Sequence, residues 1–472
     1  MGLSTRRLLT MLLCSLSGLL TYADSDKNIW PFIVHQSGDA FARPEQITAA
    51  GPLFEIQNGN TRKQAFRPFW SHFSESDRPS EHTHLLYPLF NYYSYPSHYH
   101  WHLLNLIRFS KSTENNAYSF ELYPFYFSEQ TGNPETSYRA LWPLAGNIPN
   151  FMGREQFQFA LWPLYLKTIH KNEIRYSTPW PFIQRLKGPE SHGFALWPLY
   201  GSFHRDQKYD HSFVLWPFGY HNVSYLPDGQ TFDRFGALPF FQQEKAPGLI
   251  SQTYLWPFFG FTQESDPRPD YQETRYFWPL LVQGRGEEKY INRWMPLFSH
   301  EFKPGRSKTW ILWPFWKSSE TDLDVLTRER SQFLYFLYWD EIQKNAHQPR
   351  IARKTFVWPL LSYWNNPSRD RTQIQFLDPL TVFFPRNEKA TFTWNPFFAL
   401  YRYDRRETSI RHSALWNLFQ WEHSPEQIEQ LTLGPLFNYS AKTNNSNWTF
   451  LTGLIGRTTE QGQSHWTFFW ND

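Results

Sequence analysis

Short apolar segments alternate with polar stretches along almost the whole chain. Each apolar segment is centred on one motif, an aliphatic residue, Trp, Pro, Leu or Phe and then an aromatic residue, as in residues 161–165 and 196–200. The polar stretches, such as residues 204–210, are rich in the charged and turn-forming residues that end regular elements. Apolar segments of about five to seven residues with many aromatic side chains predict β-strands, because a helix needs roughly ten or more residues of 3.6-residue periodicity.

The motif recurs about every 19 residues and gives roughly two dozen units. We term the proline position of each unit the Pro slot. The most complete copies are predicted structural repeat residues: Trp142, Pro143, Trp162, Pro163, Trp197, Pro198, Trp216, Pro217, Trp256, Pro257, Trp278, Pro279, Trp313, Pro314, Trp358 and Pro359. In units without proline, the pattern predicts these residues in the Pro slot: His102, Tyr335, Asn417, Gly453 and Thr467. A repeat this long favours one repeat-built domain, residues 24–472, over several domains.

Two arrangements fit the repeat. If each unit is one straight strand, the Pro slot lies in mid-strand, where proline removes a ladder hydrogen bond, and the array is a large barrel of about two dozen strands. If Trp-Pro instead marks a corner, each unit is a β-hairpin with a polar tip, and proline costs little. We predict the second arrangement, an all-β antiparallel hairpin array. Closure into a barrel-like ring would remove exposed strand edges, with residues 465–470 as the closing strand.

Two stretches interrupt the repeat. Residues 317–332 are rich in charge, and residues 340–354 are polar and contain Pro349. Neither stretch contains the motif. We expect long loops or a short helix in both places.

Composition narrows the possible functions. Aromatic residues make up 20% of the chain, and 35 prolines separate its segments, which is typical of an all-β protein and not of a helical one. The net charge of +3 arises from 46 basic and 43 acidic residues without a long basic run. A nucleic-acid partner therefore has no electrostatic support.

The N-terminus predicts a signal peptide over residues 1–23. Arg6 and Arg7 precede the mostly apolar residues 8–20, and small side chains allow cleavage before Asp24. The only cysteine, Cys14, lies inside this segment, so the mature chain is expected to have no disulfide and no thiol nucleophile. An exported chain of this size without cysteine is more typical of bacteria, which predicts the outer membrane or the periplasm as its location.

The repeated Leu-Trp-Pro-Leu-Tyr units, over about residues 28–470, resemble those of uncharacterised exported bacterial proteins built from Trp-Pro-Leu/Phe repeats. They are also similar to the β-flower architecture, a shallow barrel with radiating hairpins and an apolar centre. The resemblance implies a fold and, at most, a membrane-associated role. It carries over no catalytic residue.

The sharpest candidate for chemistry is a histidine cluster at His98, His100 and His102. On a strand these residues share one face, and adjacent members are close enough to bind one zinc ion. The outer two are ~13 Å apart, too far for all three to reach one ion at bonds of about 2.1 Å. The alternative is that they are ordinary surface or core histidines of an aromatic strand.

Enzymatic motifs are otherwise missing from the sequence. It contains no Gly-x-Ser-x-Gly elbow, P-loop or dinucleotide fingerprint, so we expect neither an enzyme nor a cofactor. The repeated Trp residues admit two interpretations: a shared buried core, which strict repetition favours, or exposed rings that contact sugars or a lipid interface. We predict a non-enzymatic, outer-membrane-associated protein that contacts lipid. The alternative is a soluble scaffold that binds glycans or a protein partner.

Overall fold

The computed structural model describes residues 27–38, 44–75, 77, 79–134, 136–345, 348–385, 387–425, 429–443 and 445–469. The predicted signal peptide lies outside these residues. The chain divides into two compact units. Unit 1 contains the described residues up to Tyr95 and from Thr355 onward, and unit 2 runs from Pro96 to Lys354. The prediction of one repeat-built domain stays a prediction.

The described residues form 45 strands. The first strands belong to unit 1: β1 (Lys27–Ile29), β2 (Ile33–Gln36), β3 (Glu45–Ala49), β4 (Phe54–Asn58), β5 (Thr61–Phe66), β6 (Trp70–Glu75), β7 (Glu81–Leu85) and β8 (Phe90–Ser94). Unit 2 contains β9 (His98–Leu103), β10 (Ile107–Ser112), β11 (Tyr118–Leu122), β12 (Tyr126–Gln130), β13 (Tyr138–Leu141), β14 (Ala145–Phe151), β15 (Arg154–Ala160), β16 (Tyr165–His170), β17 (Glu173–Ser177), β18 (Ile183–Lys187), β19 (Ser191–Leu196), β20 (Tyr200–Arg205), β21 (Tyr209–Val214), β22 (Gly219–Tyr225), β23 (Thr231–Ala237), β24 (Phe241–Ala246), β25 (Leu249–Tyr254), β26 (Phe259–Glu264), β27 (Tyr271–Phe277), β28 (Leu281–Gly286), β29 (Tyr290–Trp294), β30 (Phe298–Lys303), β31 (Arg306–Ile311), β32 (Trp316–Leu323), β33 (Leu326–Phe333) and β34 (Tyr338–Asn345). The strands that follow are β35 (Gln348–Val357), β36 (Leu361–Asn366), β37 (Arg371–Phe376), β38 (Tyr401–Arg406), β39 (Ser409–Ala414), β40 (Phe419–His423), β41 (Glu429–Leu433), β42 (Phe437–Lys442), β43 (Asn445–Phe450), β44 (Ile455–Glu460) and β45 (Gln463–Phe468).

Helical structure is confined to short segments. The α-helix α1 (Glu388–Trp394) begins at Asn387, whose side-chain oxygen accepts a hydrogen bond from the backbone N–H of Ala390 at 3.0 Å. The 3₁₀ segments are Pro367–Arg369, Asn395–Phe397 and Leu451–Gly453. None of the helices in the described ranges has the length and apolar character needed to cross a membrane.

Consecutive strands pair antiparallel from β1 to β8, from β9 to β34 and from β36 to β45, and two kinds of turn alternate between them. In one hairpin the register pairs Ala160 with Tyr165 around the turn at residues 161–164, and the next hairpin pairs His170 with Glu173 around a polar tip. The Pro slot lies in the first kind of turn, between strands and not within them. The predicted all-β array of antiparallel hairpins is therefore confirmed, and the straight-strand alternative is wrong.

Two Pro-slot assignments are also wrong. His102 lies inside β9, and the turn that follows places Asn105 in the Pro slot. Thr467 lies inside β45. In both cases aromatic side chains around the residue imitate the motif, although the strand continues through it.

The two stretches expected to be loops or a helix are strands. Most of residues 317–332 lie in β32 and β33, which pair along eight residues each, from Trp316 opposite Phe333 to Leu323 opposite Leu326. The second stretch contains the end of β34 and the start of β35. The prediction of loops or a helix was wrong because it took the many charged residues as a sign of loops. One face of the sheet here carries cations and hydroxyl groups in place of apolar side chains.

A row of buried or half-buried residues lies three residues after the Pro-slot prolines. Its buried members are Val34, Glu55, Ser71, Asn91, Phe127, Leu166, Gly201, Val282 and Ser299, and its half-buried members are Gly146, Gln184, Tyr220, Gln242, Gly260, Lys317, Ser362 and Asn438. We term this set the inner row, and the sheet face that carries it the inner face. The repeat therefore sets which position is buried, while the residue at that position is apolar in some units and polar or charged in others.

In the first part of unit 2 the inner face is apolar. Phe127, Ile148, Phe159 and Leu166 are buried together. Small residues make room for the rings: a Cβ atom added at Gly146 would collide with Ala140 and with the ring of Phe159. This is the only hydrophobic cluster of buried residues found in the described part of the chain.

In unit 1 the inner face is polar and is covered by the segment between β37 and β38, which contains α1. Arg67 is fully buried: its guanidinium pairs with Glu55, donates to the carbonyl oxygen of Pro52 at 3.0 Å and donates to that of Phe392 at 2.8 Å. The ring of Phe392 also contacts Phe73, with 5.1 Å between ring centroids. Hydrogen bonds to polar groups therefore replace an apolar core here.

Ring closure through the last strand stays a prediction. Within the described residues β45 pairs with β44, and no ladder joins it to β1. Side chains nevertheless connect the two ends of unit 1. Asn28 donates to the carbonyl oxygen of Asn417 at 2.7 Å, and Arg411 donates to the side chain of Gln36 at 3.0 Å.

Candidate functional site

The residue that follows a Pro-slot proline is Leu or Phe in every unit, and outside the segment of residues 377–400 it is exposed almost everywhere. Leu53 is half-buried. The exposed residues are Phe32, Phe69, Leu89, Phe125, Leu144, Leu164, Phe182, Leu199, Phe218, Phe240, Phe258, Leu280, Leu297, Phe315, Leu360 and Leu436. The exposed fraction reaches 74% at Phe32 and 70% at Phe240. Large apolar side chains at one repeated position are therefore directed to the surroundings.

A second exposed row lies two residues before the Pro slot. Its exposed apolar members next to a Pro-slot proline are Ile29, Leu86, Leu122, Leu141, Leu161, Leu196, Leu215, Leu255, Phe277, Trp294, Leu312, Val357 and Leu433. We term the two exposed rows together the rim. Each motif turn runs from two residues before the Pro slot to one residue after it. In unit 2, none of these four-residue turns contains a charged residue. Because the strands form a meander, the motif turns of each unit lie at the same end of its strands, and the charged tips lie at the opposite end.

Four turns of the rim have every backbone N–H group satisfied. In the turn at residues 161–164, Leu161 donates to the carbonyl of Leu144 at 2.6 Å, Trp162 to that of Pro143 at 2.8 Å, and Leu164 to that of Leu161 at 2.8 Å. Proline, which has no N–H group, occupies the remaining position. The turns at residues 215–218, 255–258 and 312–315 repeat this pattern. Proline in the slot therefore lets these four turns leave water without an unpaired backbone donor.

The predicted motif Trp residues lie along the rim and not in a dry interior. Those that are half-buried are Trp142, Trp162, Trp197 and Trp358, and those that are exposed are Trp216, Trp256, Trp278 and Trp313. Neighbouring rings do contact each other, with centroids 5.3 Å apart for Trp142 and Trp162 and 6.0 Å apart for Trp197 and Trp216. The predicted shared core of Trp rings is wrong, because the inner row fills that place.

The three residues of the histidine cluster lie along one strand and are not brought together around one point. His98, His100 and His102 alternate along β9, opposite Ser112, Ser110 and Arg108 of β10. The rings of His98 and His100 are stacked, with centroids 6.0 Å apart. Across the part of the chain that the structure describes, no group of three or more His, Cys, Asp or Glu side chains is arranged to hold a metal ion.

Unit 1 contains a cavity of about 730 Å³ between its inner face and the α1 segment. Aromatic rings of Phe73, Tyr87, Tyr93, Phe383 and Phe384 line it, together with polar side chains. Lys389 on α1 donates to the hydroxyl of Tyr93 at 2.9 Å, and burial raises the pKa of Tyr93 to about 12. The cavity combines aromatic surfaces with hydrogen-bonding groups, as small-molecule sites do.

Sequence reasoning missed the rim, although its signal was present. The position after the Pro slot is restricted to Leu or Phe, whereas the predicted buried core was assigned to the repeated Trp residues. The turn itself was the missing information, since residues beyond the last ladder pair have no neighbouring strand to cover them.

Comparison with protein-family models and with curated proteins finds no match.

Proposed function

We propose that this chain is a non-enzymatic, exported protein of the bacterial envelope, associated with the outer membrane, whose rim inserts into one leaflet of a lipid bilayer. The observation that carries the proposal is the rim itself. Its side chains are apolar and exposed in unit after unit, and in four of its turns every backbone N–H group donates to a carbonyl of the same or the neighbouring turn. A hydrocarbon environment requires both properties.

The size of the exposed apolar surface supports the same function. A soluble monomer rarely exposes a contiguous apolar patch of more than a few hundred Å². In unit 2 the rim continues from turn to turn, and neighbouring Trp rings contact each other along it. Trp side chains are favoured at the boundary between lipid and water, because the ring is apolar and its N–H group can reach a polar partner.

The depth of the apolar zone favours shallow insertion. The rim lies about two residues from the inner row, a distance of ~7 Å along a strand. Helices that bind in the plane of a membrane bury their apolar faces by a similar ~5–10 Å. The opposite ends of the hairpins carry exposed charges, such as Asp206, Glu287 and Asp324, and would remain in water.

A second candidate function is a soluble scaffold that binds a glycan. The cavity of unit 1 favours it, because Tyr87 and Tyr93 line a space large enough for a sugar unit beside Lys389 and Asn387. In that case the rim would be covered by a partner protein and not by lipid. The experiment below separates the two functions.

Flotation of the detergent-free full chain with lipid vesicles tests the proposal. Vesicles of phosphatidylethanolamine and phosphatidylglycerol, and vesicles of phosphatidylcholine, are each spun through a density gradient with the protein. We expect most of the protein to float with both, because the rim recognises hydrocarbon and not a particular headgroup. Protein that stays monodisperse in the bottom fraction with both vesicle types would contradict insertion and favour the soluble scaffold.

A further inference from the structure

The inner face of β31, β32 and β33 carries a group of cations that the rim does not explain. Its side chains form three rows set by the strand register. The first row, nearest the rim, contains Trp310, Lys317, Gln332 and Trp339. The second contains Lys308, Ser319, Arg330 and Glu341, and the third contains Arg306, Thr321, Arg328 and Gln343. Directly opposed residues have Cβ atoms about 5 Å apart, so these cations and hydroxyl groups are close neighbours.

Carboxylates do not balance these cations. Glu341 is engaged by Arg330 at 2.6 Å and lies 3.5 Å from Arg328. Glu301, which lies opposite Lys308 on β30, is paired with Arg293. Within the described ranges, Arg306, Lys308 and Lys317 have no carboxylate within ion-pair distance. The group as a whole therefore carries excess positive charge.

The excess charge is partly buried. The ammonium groups of Lys308 and Lys317 lie 5.6 Å and 5.3 Å from the ring centroid of Trp310, which is itself buried. Burial, followed by the charges of Lys308, Arg330 and Arg306, lowers the pKa of Lys317. Like charges held together out of water are unfavourable unless an anion joins them.

We propose that this surface binds a phosphate group, with Lys308 and Lys317 as the cations and Ser319 as a hydroxyl donor. A phosphate group offers several acceptor oxygens and up to two negative charges, so it can bind several cations at once, whereas a carboxylate has two oxygens and one charge. Lys317 lies three residues beyond Pro314, a distance of ~10 Å from the turn. A site at this distance from the motif turn suits either the phosphate of a lipid headgroup or a phosphate group from solution.

Phosphate added to the full chain is expected to raise its thermal unfolding temperature, because a ligand that binds only the folded state stabilises it. The test variant is Lys308→Gln with Lys317→Gln. The matched control is Lys167→Gln with Lys187→Gln, which removes the same charge from two lysines on the outer face of unit 2. We expect the test variant to weaken phosphate binding, measured by calorimetry, about tenfold or more, and the control to leave it unchanged.

A vesicle arm identifies the source of the phosphate. If wild-type chain binds phosphatidic acid vesicles more tightly than phosphatidylcholine vesicles, and only the test variant loses that preference, the ligand is a lipid headgroup. If inorganic phosphate binds with the same lysine dependence and vesicle preference is absent, the ligand comes from solution. An unfolding temperature that phosphate does not move, together with equal vesicle binding by the test variant and the control, would overturn the proposal. Because the rim binds phosphatidylcholine as well, failure of this site leaves flotation intact.

Discussion

Asparagine in place of four rim leucines is expected to weaken vesicle binding by about 100-fold or more. The four residues share a side chain that is more than half exposed and a left-handed backbone conformation with φ between 42° and 48°: Leu161, Leu215, Leu255 and Leu312. Completing the burial of half a leucine side chain in lipid contributes about 1 kcal/mol, so four residues together account for the loss. Asparagine adopts the left-handed region more readily than leucine, which leaves the turns folded.

The control for this variant places the same change at the opposite end of the strands. Met152, Leu323 and Val325 are exposed apolar residues at polar tips, and Met152 also has positive φ. Their replacement by asparagine is expected to leave flotation unchanged, because the tips remain in water. Circular dichroism checks that both variants fold. Insertion through the rim is refuted if the tip variant loses as much vesicle binding as the rim variant.

Loss of the Arg67 guanidinium is expected to have the largest effect on stability. Arg67→Ala leaves the buried carboxylate of Glu55 without its partner and removes the donors to Pro52 and Phe392, at a cost of about 3–5 kcal/mol. Because Phe392 lies in the α1 segment, that segment is expected to lose its attachment to the inner face of unit 1. The midpoint of urea unfolding, followed by tryptophan fluorescence, measures the change.

Two further variants distinguish the cost of leaving the Glu55 carboxylate unpaired from the cost of shortening an arginine side chain. Arg62→Ala removes an exposed arginine from the adjacent strand β5 and is expected to change stability by no more than about 0.5 kcal/mol. Adding Glu55→Gln to Arg67→Ala removes the unpaired charge, so the double variant is expected to be more stable than Arg67→Ala alone. Equal midpoints for Arg67→Ala and Arg62→Ala would show that the buried pair does not hold the α1 segment.

The sequence predicts the class of fold and the position of most motif turns, because both depend on local signals. The apolar segments are too short for helices, and proline is poorly tolerated in mid-strand. Burial is not a local property, and there the prediction fails. Trp216 and Leu164 look like core residues, yet they lie beyond the last ladder pair, where the antiparallel meander leaves them uncovered.

The sequence also did not predict which parts of the inner face are polar. Arg67 occupies a position where other units have Trp, and only the Glu55 carboxylate on a neighbouring strand explains its burial. Lys308 and Lys317 are separated by a motif turn, and the strand register brings both to the ring of Trp310. Such groups depend on register across strands, which the spacing of the repeat does not reveal.

The depth of two labelled sites in a membrane tests the central claim most directly. Because Cys14 is the only cysteine, a Cys14→Ser chain accepts a single new cysteine at Leu164, in the rim, or at Met152, at the tip on the other side of β15. Strand β15 separates the two sites by ~23 Å. With vesicles that contain brominated acyl chains, a fluorescent label at Leu164 is expected to shift its emission to the blue and to be quenched, while a label at Met152 stays unquenched. Equal quenching at both sites, or quenching at Met152 alone, would contradict insertion through the rim.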